Sequence, residues 1–385
     1  MNVLSVIWAA SMVTVPGVYW LTPDRLRVLV LPFVTAALLG VVSPLTVVGM
    51  GFAVLVAWTA YRHFASNGLA IALAATLQLA PLVLWRINAQ LSLPVIAQIA
   101  IPLGLAYIAL RGVHYIIEAY KGELSRHELT DVVGYFFFLP TVIADPIHRF
   151  PAWLSDQRRV RWNSQMFSEG LERILYGYVK VAFMANLLIE GIPAGWIDQT
   201  FSAGEQGGHY FSMLAKGLNG YFQFAGYSDV ASGFARLLGF RVMENFDAPL
   251  IKPNVQRFWS AWHISLTSWC REYVYTPVFS LSRARGLGVL AAMAVLGLWH
   301  EFTLRYLAWG LYNGAGIVAW HQWRRRGGQR LEAWLEHKPG LRQAVMAVLI
   351  TVHFIFFGFV LVQHSTLSEA IAEMWAITGL GHQEG

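Results

Sequence analysis

No charged residue occurs in residues 3–22, 28–61 or 69–85, and about 20 apolar residues suffice to cross the hydrocarbon core of a bilayer. The middle run is long enough for two helices and carries its break at Ser43-Pro44, because proline has no amide to donate to a continuing helix. Further apolar stretches cover 94–120, 132–143, 171–192, 209–238, 286–300, 304–320 and 341–362. The pattern predicts an all-α chain with about ten or eleven membrane-embedded helices, some shorter than a full span. Residues 3–21 have no basic region before them and no small-residue cleavage site, so they read as a retained helix rather than a secretory signal. Two segments, 139–163 and 239–271, are too polar and proline-rich for ordinary spans. Non-helical backbone at membrane depth survives only where protein buries it or where it lines a wet cavity, which puts a reaction chamber beside the second segment.

Composition agrees with this reading. Of 385 residues 56% are hydrophobic and 13% charged, against about 45–50% and about 25% in soluble domains; the chain reads as a single transmembrane domain over 1–385. Its net charge of +6 is spread over short loops, a pattern of membrane topology that excludes a nucleic-acid partner. Arg25 and Arg27 follow the first helix, Arg62 the third, and Lys121 and Arg126 the fifth, whereas the intervening turns hold Ser43-Pro44 and the single Arg86. Lys and Arg collect on the cytoplasmic side, so the N-terminus faces outward. The run Arg324-Arg325-Arg326-Gly327-Gly328, with Arg330, Lys338 and Arg342, reads as a cytoplasmic loop against anionic lipid headgroups. The sharper alternative is a docking site for an acidic carrier protein. The single Cys270 excludes an intramolecular disulfide and any multi-cysteine metal site.

Ionisable groups inside an apolar background are costly unless they are used. Two stretches, Phe258-Trp259-Ser260-Ala261-Trp262-His263-Ile264-Ser265-Leu266 and Gly297-Leu298-Trp299-His300-Glu301, each set a histidine directly after a tryptophan. His300 follows an uncharged approach over 286–299, which holds it within the membrane. Residues 259–275, read as one amphipathic helix, carry His263, Leu266, Thr267 and Cys270 on one face and Trp262, Ser265 and Trp269 on a neighbouring stripe, with Arg271 and Glu272 following. A neutral imidazole can take the proton of an alcohol as it attacks a carbonyl; structural hydrogen bonding and a proton path are equally compatible with two such histidines. Asp229, next to Ser228, requires a cation or several donors, with Arg236, Arg271 or a helix end as candidates. Asp145-Pro146-Ile147-His148-Arg149 resembles a broken-helix turn, and His114, His321 and His353 read as structural. Cys270 would lie about 10 Å beyond His263 along a helix, too far for a thiol–imidazole dyad. Position 304 is a leucine, so His300-Glu301 does not open a two-histidine zinc helix, and no metal site is expected.

At these residues the chain resembles the membrane-bound O-acyltransferase family, and within it the bacterial branch of the alginate O-acetylation and teichoic acid D-alanylation membrane proteins. The matching stretches, in family order, are 102–107 with 115–122, 144–149, 226–229, 238–240 with 244–246, 258–277 and 297–314; they define a family-like catalytic core over 93–320. The resemblance implies a ring of tilted helices around a chamber or tunnel, His300 as the catalytic histidine and His263 as its second functional histidine. It extends tunnel-lining roles to Trp262, Ser265, Arg271, Glu272, Trp299, Glu301, Asn313, Ser228 and Asp229. Glu301 stands where the branch often has glycine, and Cys270 where it has a bulky apolar residue; the chain also ends earlier than alginate-type members.

The function implied is transfer of an acetyl or D-alanyl group from a cytoplasmic thioester, on coenzyme A or an acyl carrier protein, to a hydroxyl of an extracytoplasmic polysaccharide, envelope polymer or partner acyltransferase. No tightly bound cofactor is required, and the setting is the bacterial cytoplasmic membrane with its lipid. The competing class is a transporter or proton-coupled channel using His263, Asp229 and His300, and the inverted internal repeat that would favour it is not found in the sequence.

Overall fold

In a computed structural model the described residues are 3–91, 104–142, 146–202, 205–328 and 341–379. Among them the regular structure is helical, with one isolated backbone bridge between Phe246 and Trp262. The chain divides into two compact units, Met1–Gly177 with Tyr227–Met243, and Tyr178–Gly226 with Glu244–Gly385.

The first unit begins with α1 (Val3–Leu21), α2 (Asp24–Val42), α3 (Pro44–Thr59) and α4 (Gly68–Leu91). The break expected at Ser43-Pro44 is present: the Ser43 amide closes α2 on the Leu39 carbonyl at 2.7 Å, its hydroxyl meets Thr46 at 2.8 Å, and Pro44 opens α3. Then come α5 (Leu105–Lys121), α6 (Leu129–Phe136), α7 (Phe150–Arg159) and α8 (Ser164–Tyr178). Buried side chains including Tyr19, Met50, Tyr115, Phe136, Phe150, Trp153 and Phe240 form the core. Buried Arg111 on α5 donates to the Thr141 carbonyl at 2.6 Å, satisfying backbone in the short 139–141 turn that polar composition had marked as irregular. His114 accepts the Phe150 amide at 3.0 Å, a structural role. Asp145 lies outside the described residues, as does the start of the family-like core.

Asp229 is paired in this unit with a cation that the sequence reading did not name. Arg173 of α8 donates to its Oδ1 from both Nε and Nη2 at 3.0 Å. The reason is helix packing: Gly170 and Gly233 sit backbone to backbone, and the next turns, carrying Arg173 and Asp229, are thereby brought within reach.

The second unit takes up the chain at a widened helical stretch, Val179–Gly191, that runs on into α9 (Ile192–Thr200). It contains most of α10 (Gln206–Leu237), then α11 (Val255–Ala261), α12 (Ile264–Cys270), α13 (Thr276–Ser282), α14 (Arg285–His300), α15 (Leu304–Trp323), α16 (Leu341–Gln363) and α17 (Leu367–Thr378). The apolar pattern did not mark α17, although Thr366 and Glu369 form a reciprocal capping box at its start, a spacing legible in the sequence.

The chain is an all-α polytopic membrane protein. Five helices among the described residues are long and apolar enough to cross a bilayer: Asp24–Val42, Pro44–Phe64, Gly68–Ile87, Ser164–Thr200 and Arg342–Gln363. The apolar α14 has only 16 residues, about 24 Å at 1.5 Å per residue, and belongs with the shorter embedded helices that the pattern allowed.

Helices α14 and α15 form an antiparallel hairpin whose backbones touch. A Cβ at Gly297 would run into the Tyr306 carbonyl, and one at Gly310 into the Met293 carbonyl. Neither obstacle is a side chain that could swing away, so Gly310→Val must separate the helices. Overpacking of this kind costs about 1–3 kcal/mol; the expected result is a lower midpoint of thermal unfolding for the detergent-purified variant, followed by intrinsic tryptophan fluorescence.

Candidate functional site

Residues 259–275 do not form the single amphipathic helix expected from their composition. Helix α11 stops at Ala261, Trp262 is extended (φ −107°, ψ 127°), and His263 adopts the left-handed conformation (φ 47°, ψ 51°) before α12 starts at Ile264. The cause is a distant piece of backbone. The Asp247 amide donates to the Ala261 carbonyl and the Ile264 amide donates to the Asn245 carbonyl, each at 3.0 Å, with Phe246 bridged to Trp262 between them. A left-handed histidine costs on the order of 1–3 kcal/mol, and the pairing on both sides holds it there. Its ring is buried, edge-on to Phe224 at 4.7 Å.

His300 is the last residue of α14, where the helix gives way to the turn before α15. Its half-buried ring sits among Trp299 (4.8 Å between centroids), Trp309 (5.6 Å) and Tyr306, on which it stacks at 6.0 Å and 20°. The His263 ring is 6.2 Å away, and Trp299 lies 5.8 Å from His263. Two histidines from separate elements thus face one another within an aromatic wall. Asn313 pins that wall, accepting from Trp259 Nε1 at 3.2 Å and donating to the Trp309 carbonyl at 2.9 Å.

Several residues named from sequence come together here, and others do not. Trp262 and Trp299 are buried beside His263 or behind it, Trp262 stacking on Phe258 at 5.4 Å. Ser265 is buried with its amide on the Asn245 side chain at 3.3 Å, so the backbone amides at 264 and 265 are already engaged. Glu301 directs its carboxylate to Arg305 at 2.8 and 2.9 Å. Ser228 and Asp229 belong to the first unit, and Glu272 is exposed after α12. Sequence reading missed Tyr306, Trp309, Phe224 and Arg305. Only Arg305 left a local signal, an acid–base spacing of four residues with Glu301.

A cavity of about 1110 Å³ adjoins these elements. Along α14 its lining residues Gly286, Val289, Met293 and Leu296 recur at helical spacing, and the next position on that stripe is His300. Trp259 and Ile264, the latter next to His263, also line it. The other end of the hairpin is basic, with Arg283, Arg285, His321, Arg324 and Arg325 on the lining, which also includes Arg271, just after α12. His321, read as structural, therefore stands on the cavity wall. Cys270 lines the cavity as well. Among the described residues no group of three or more His, Cys, Asp or Glu side chains is placed to hold a metal ion.

Comparison with known proteins places this arrangement in context. A probable alginate O-acetylase of Pseudomonas aeruginosa is 35% identical over 58% of this chain and 43% of its own length. A teichoic acid D-alanyltransferase of Bacillus subtilis is 27% identical over 78% of this chain and 80% of its own. A peptidoglycan O-acetyltransferase of Helicobacter pylori is 22% identical over 73% and 57% respectively. The chain spans less than half the length of the alginate O-acetylases it matches. The profile of the membrane-bound O-acyltransferase family matches residues 39–362, most of the sequence, and the chain belongs to that family.

Proposed function

We propose that the protein is a membrane O-acyltransferase that moves an acetyl or D-alanyl group from a cytoplasmic thioester to a hydroxyl of an extracytoplasmic envelope polymer or of a partner acyltransferase. The observation that carries this reading is the stripe on α14: its apolar residues line a cavity with a basic wall, and its next position is His300, with His263 facing it at 6.2 Å. The pyrophosphate of coenzyme A and the phosphate of a carrier protein's pantetheine are both anionic, and a cluster of arginines suits either. The flexible pantetheine arm then follows the apolar stripe while its charged carrier stays outside.

In the reaction the acceptor hydroxyl oxygen attacks the thioester carbonyl as a ring nitrogen of His300 takes its proton. The tetrahedral intermediate collapses with cleavage of the carbon–sulfur bond, and the histidine returns the proton to the departing thiolate. General-base assistance of this kind is worth about 10²–10⁴ in rate. His263 contributes a hydrogen bond to the thioester carbonyl, where charge develops. The backbone amides beside it are occupied by Asn245, so this role is assigned to the imidazole rather than to them. The names of the relatives support acetyl or D-alanyl as the group transferred and an envelope polymer as the acceptor.

Three outcomes test this function. His300→Ala should reduce acylation of the envelope polymer at least a hundredfold, measured by mass spectrometry of the released acyl groups; wild-type acylation by a variant that is present in the membrane would sink the general-base role. Arg324→Glu with Arg325→Glu should raise the donor concentration required for half-maximal rate by tenfold or more while changing the maximal rate little, because the charge acts on binding and not on the reacting carbonyl. A reporter that is active only outside the cytoplasmic membrane should be active when fused to the N-terminus, and activity of a cytoplasm-only reporter there would reverse the orientation.

A further inference from the structure

His300 ends its helix, so its own helix does not fully fix the direction of its ring. The amide of Glu301 reaches back to the Gly297 carbonyl only at 3.4 Å, and Glu301 itself is extended (φ −158°, ψ 139°). A short turn then leads to Thr303, the extended residue that precedes α15. A histidine at such a junction needs an external constraint, because misplacement of a reacting group by about 1 Å can cost up to about 10²-fold in rate.

We infer that the Glu301–Arg305 ion pair is a positioning clamp for the His300 imidazole, an inference that rests on His300 being the general base. Arg305, the second residue of α15, grips both carboxylate oxygens of Glu301 with Nη2, at 2.9 and 2.8 Å. Its Nη1 donates to the backbone carbonyl of His364, just beyond α16, and reaches that of Val362 at 3.4 Å. The guanidinium lies over the Tyr306 ring at 5.1 Å, and Tyr306 is the ring on which His300 stacks. One planar cation thus joins the residue after the histidine, the aromatic under the histidine and the end of α16. An ordinary exposed pair spaced by four residues contributes little, whereas this one is mostly shielded, with 16% of the Arg305 and 31% of the Glu301 side chain exposed, and is anchored to backbone carbonyls of a third helix. Lysine cannot reproduce the contact, since a single ammonium lacks the fork that serves the carboxylate and the carbonyls together.

The clamp predicts a local effect at His300, readable without turnover. In the purified full-length protein, the rate of diethyl pyrocarbonate modification of His300 is followed by peptide mass spectrometry, with His353 and His127 as internal references. His353 is hydrogen-bonded to Tyr210 at 2.6 Å, about three turns back along α16 from the clamped end, and His127 is hydrogen-bonded to Tyr115 at 2.6 Å in the first unit. Arg305→Met should raise the His300 rate several-fold with both references unchanged, and should lower polymer acylation in cells about tenfold. Glu301→Gln should lie between wild type and Arg305→Met, and the double variant should be no worse than Arg305→Met alone, since both act through one contact. Wild-type His300 reactivity together with wild-type acylation in Arg305→Met overturns the clamp. So does a parallel rise at His353 and His127, which would mean that the pair only supports the fold. Should His300→Ala retain acylation, the general-base reading fails, and the modification rates still decide whether the pair orients the ring.

Discussion

The backbone contact between α14 and α15 is the constraint on which the site depends. Glycine at 297 and 310 lets the carbonyls of Tyr306 and Met293 approach where any Cβ would stand, and the two helices therefore run together down to the turn that carries His300. That closeness sets Tyr306 and Trp309 against the imidazole and lines up the basic residues at the opposite end of the hairpin. A small change in spacing at the glycines would be felt at both ends, because packed helices transmit displacement with little compression.

Each histidine stands at a helix end, and the end is imposed by something other than the residue itself. His300 closes α14 before a turn held by the pairing of Glu301 with Arg305. His263 opens α12 because residues 245–247 pair with backbone on both sides of it and force it into a left-handed conformation. Helix ends leave backbone groups without intrahelical partners, so the chain's direction there, and with it the side chain's, is set by contacts from outside the helix.

Much of the architecture is local and was therefore legible. The uncharged runs place α1 to α4, Ser43-Pro44 places the break between α2 and α3, and the apolar approach places the end of α14 at His300. The pairing of Glu301 with Arg305 has helical spacing and was readable in principle, as was the capping box that starts α17. The resemblance gives Glu301 a tunnel-lining role and leaves the partner of its carboxylate open; that partner is Arg305. Asp229 was correctly marked as needing a cation, yet Arg173 was not identified, because its proximity depends on the close packing of Gly170 against Gly233.

The sequence by itself determined that the chain is an all-α membrane protein, where its long apolar helices run, and that His263 and His300 are the polar residues most in need of an explanation. Those properties follow from hydropathy, charge and proline, which act over a few residues. Tertiary structure alone decided that the two imidazoles face each other at 6.2 Å, that residues 259–275 break at His263, and that arginines from 283–285 and 324–325 meet on one cavity wall. These features depend on backbone hydrogen bonds and helix contacts between residues far apart in the chain, and such pairings leave no periodicity to read.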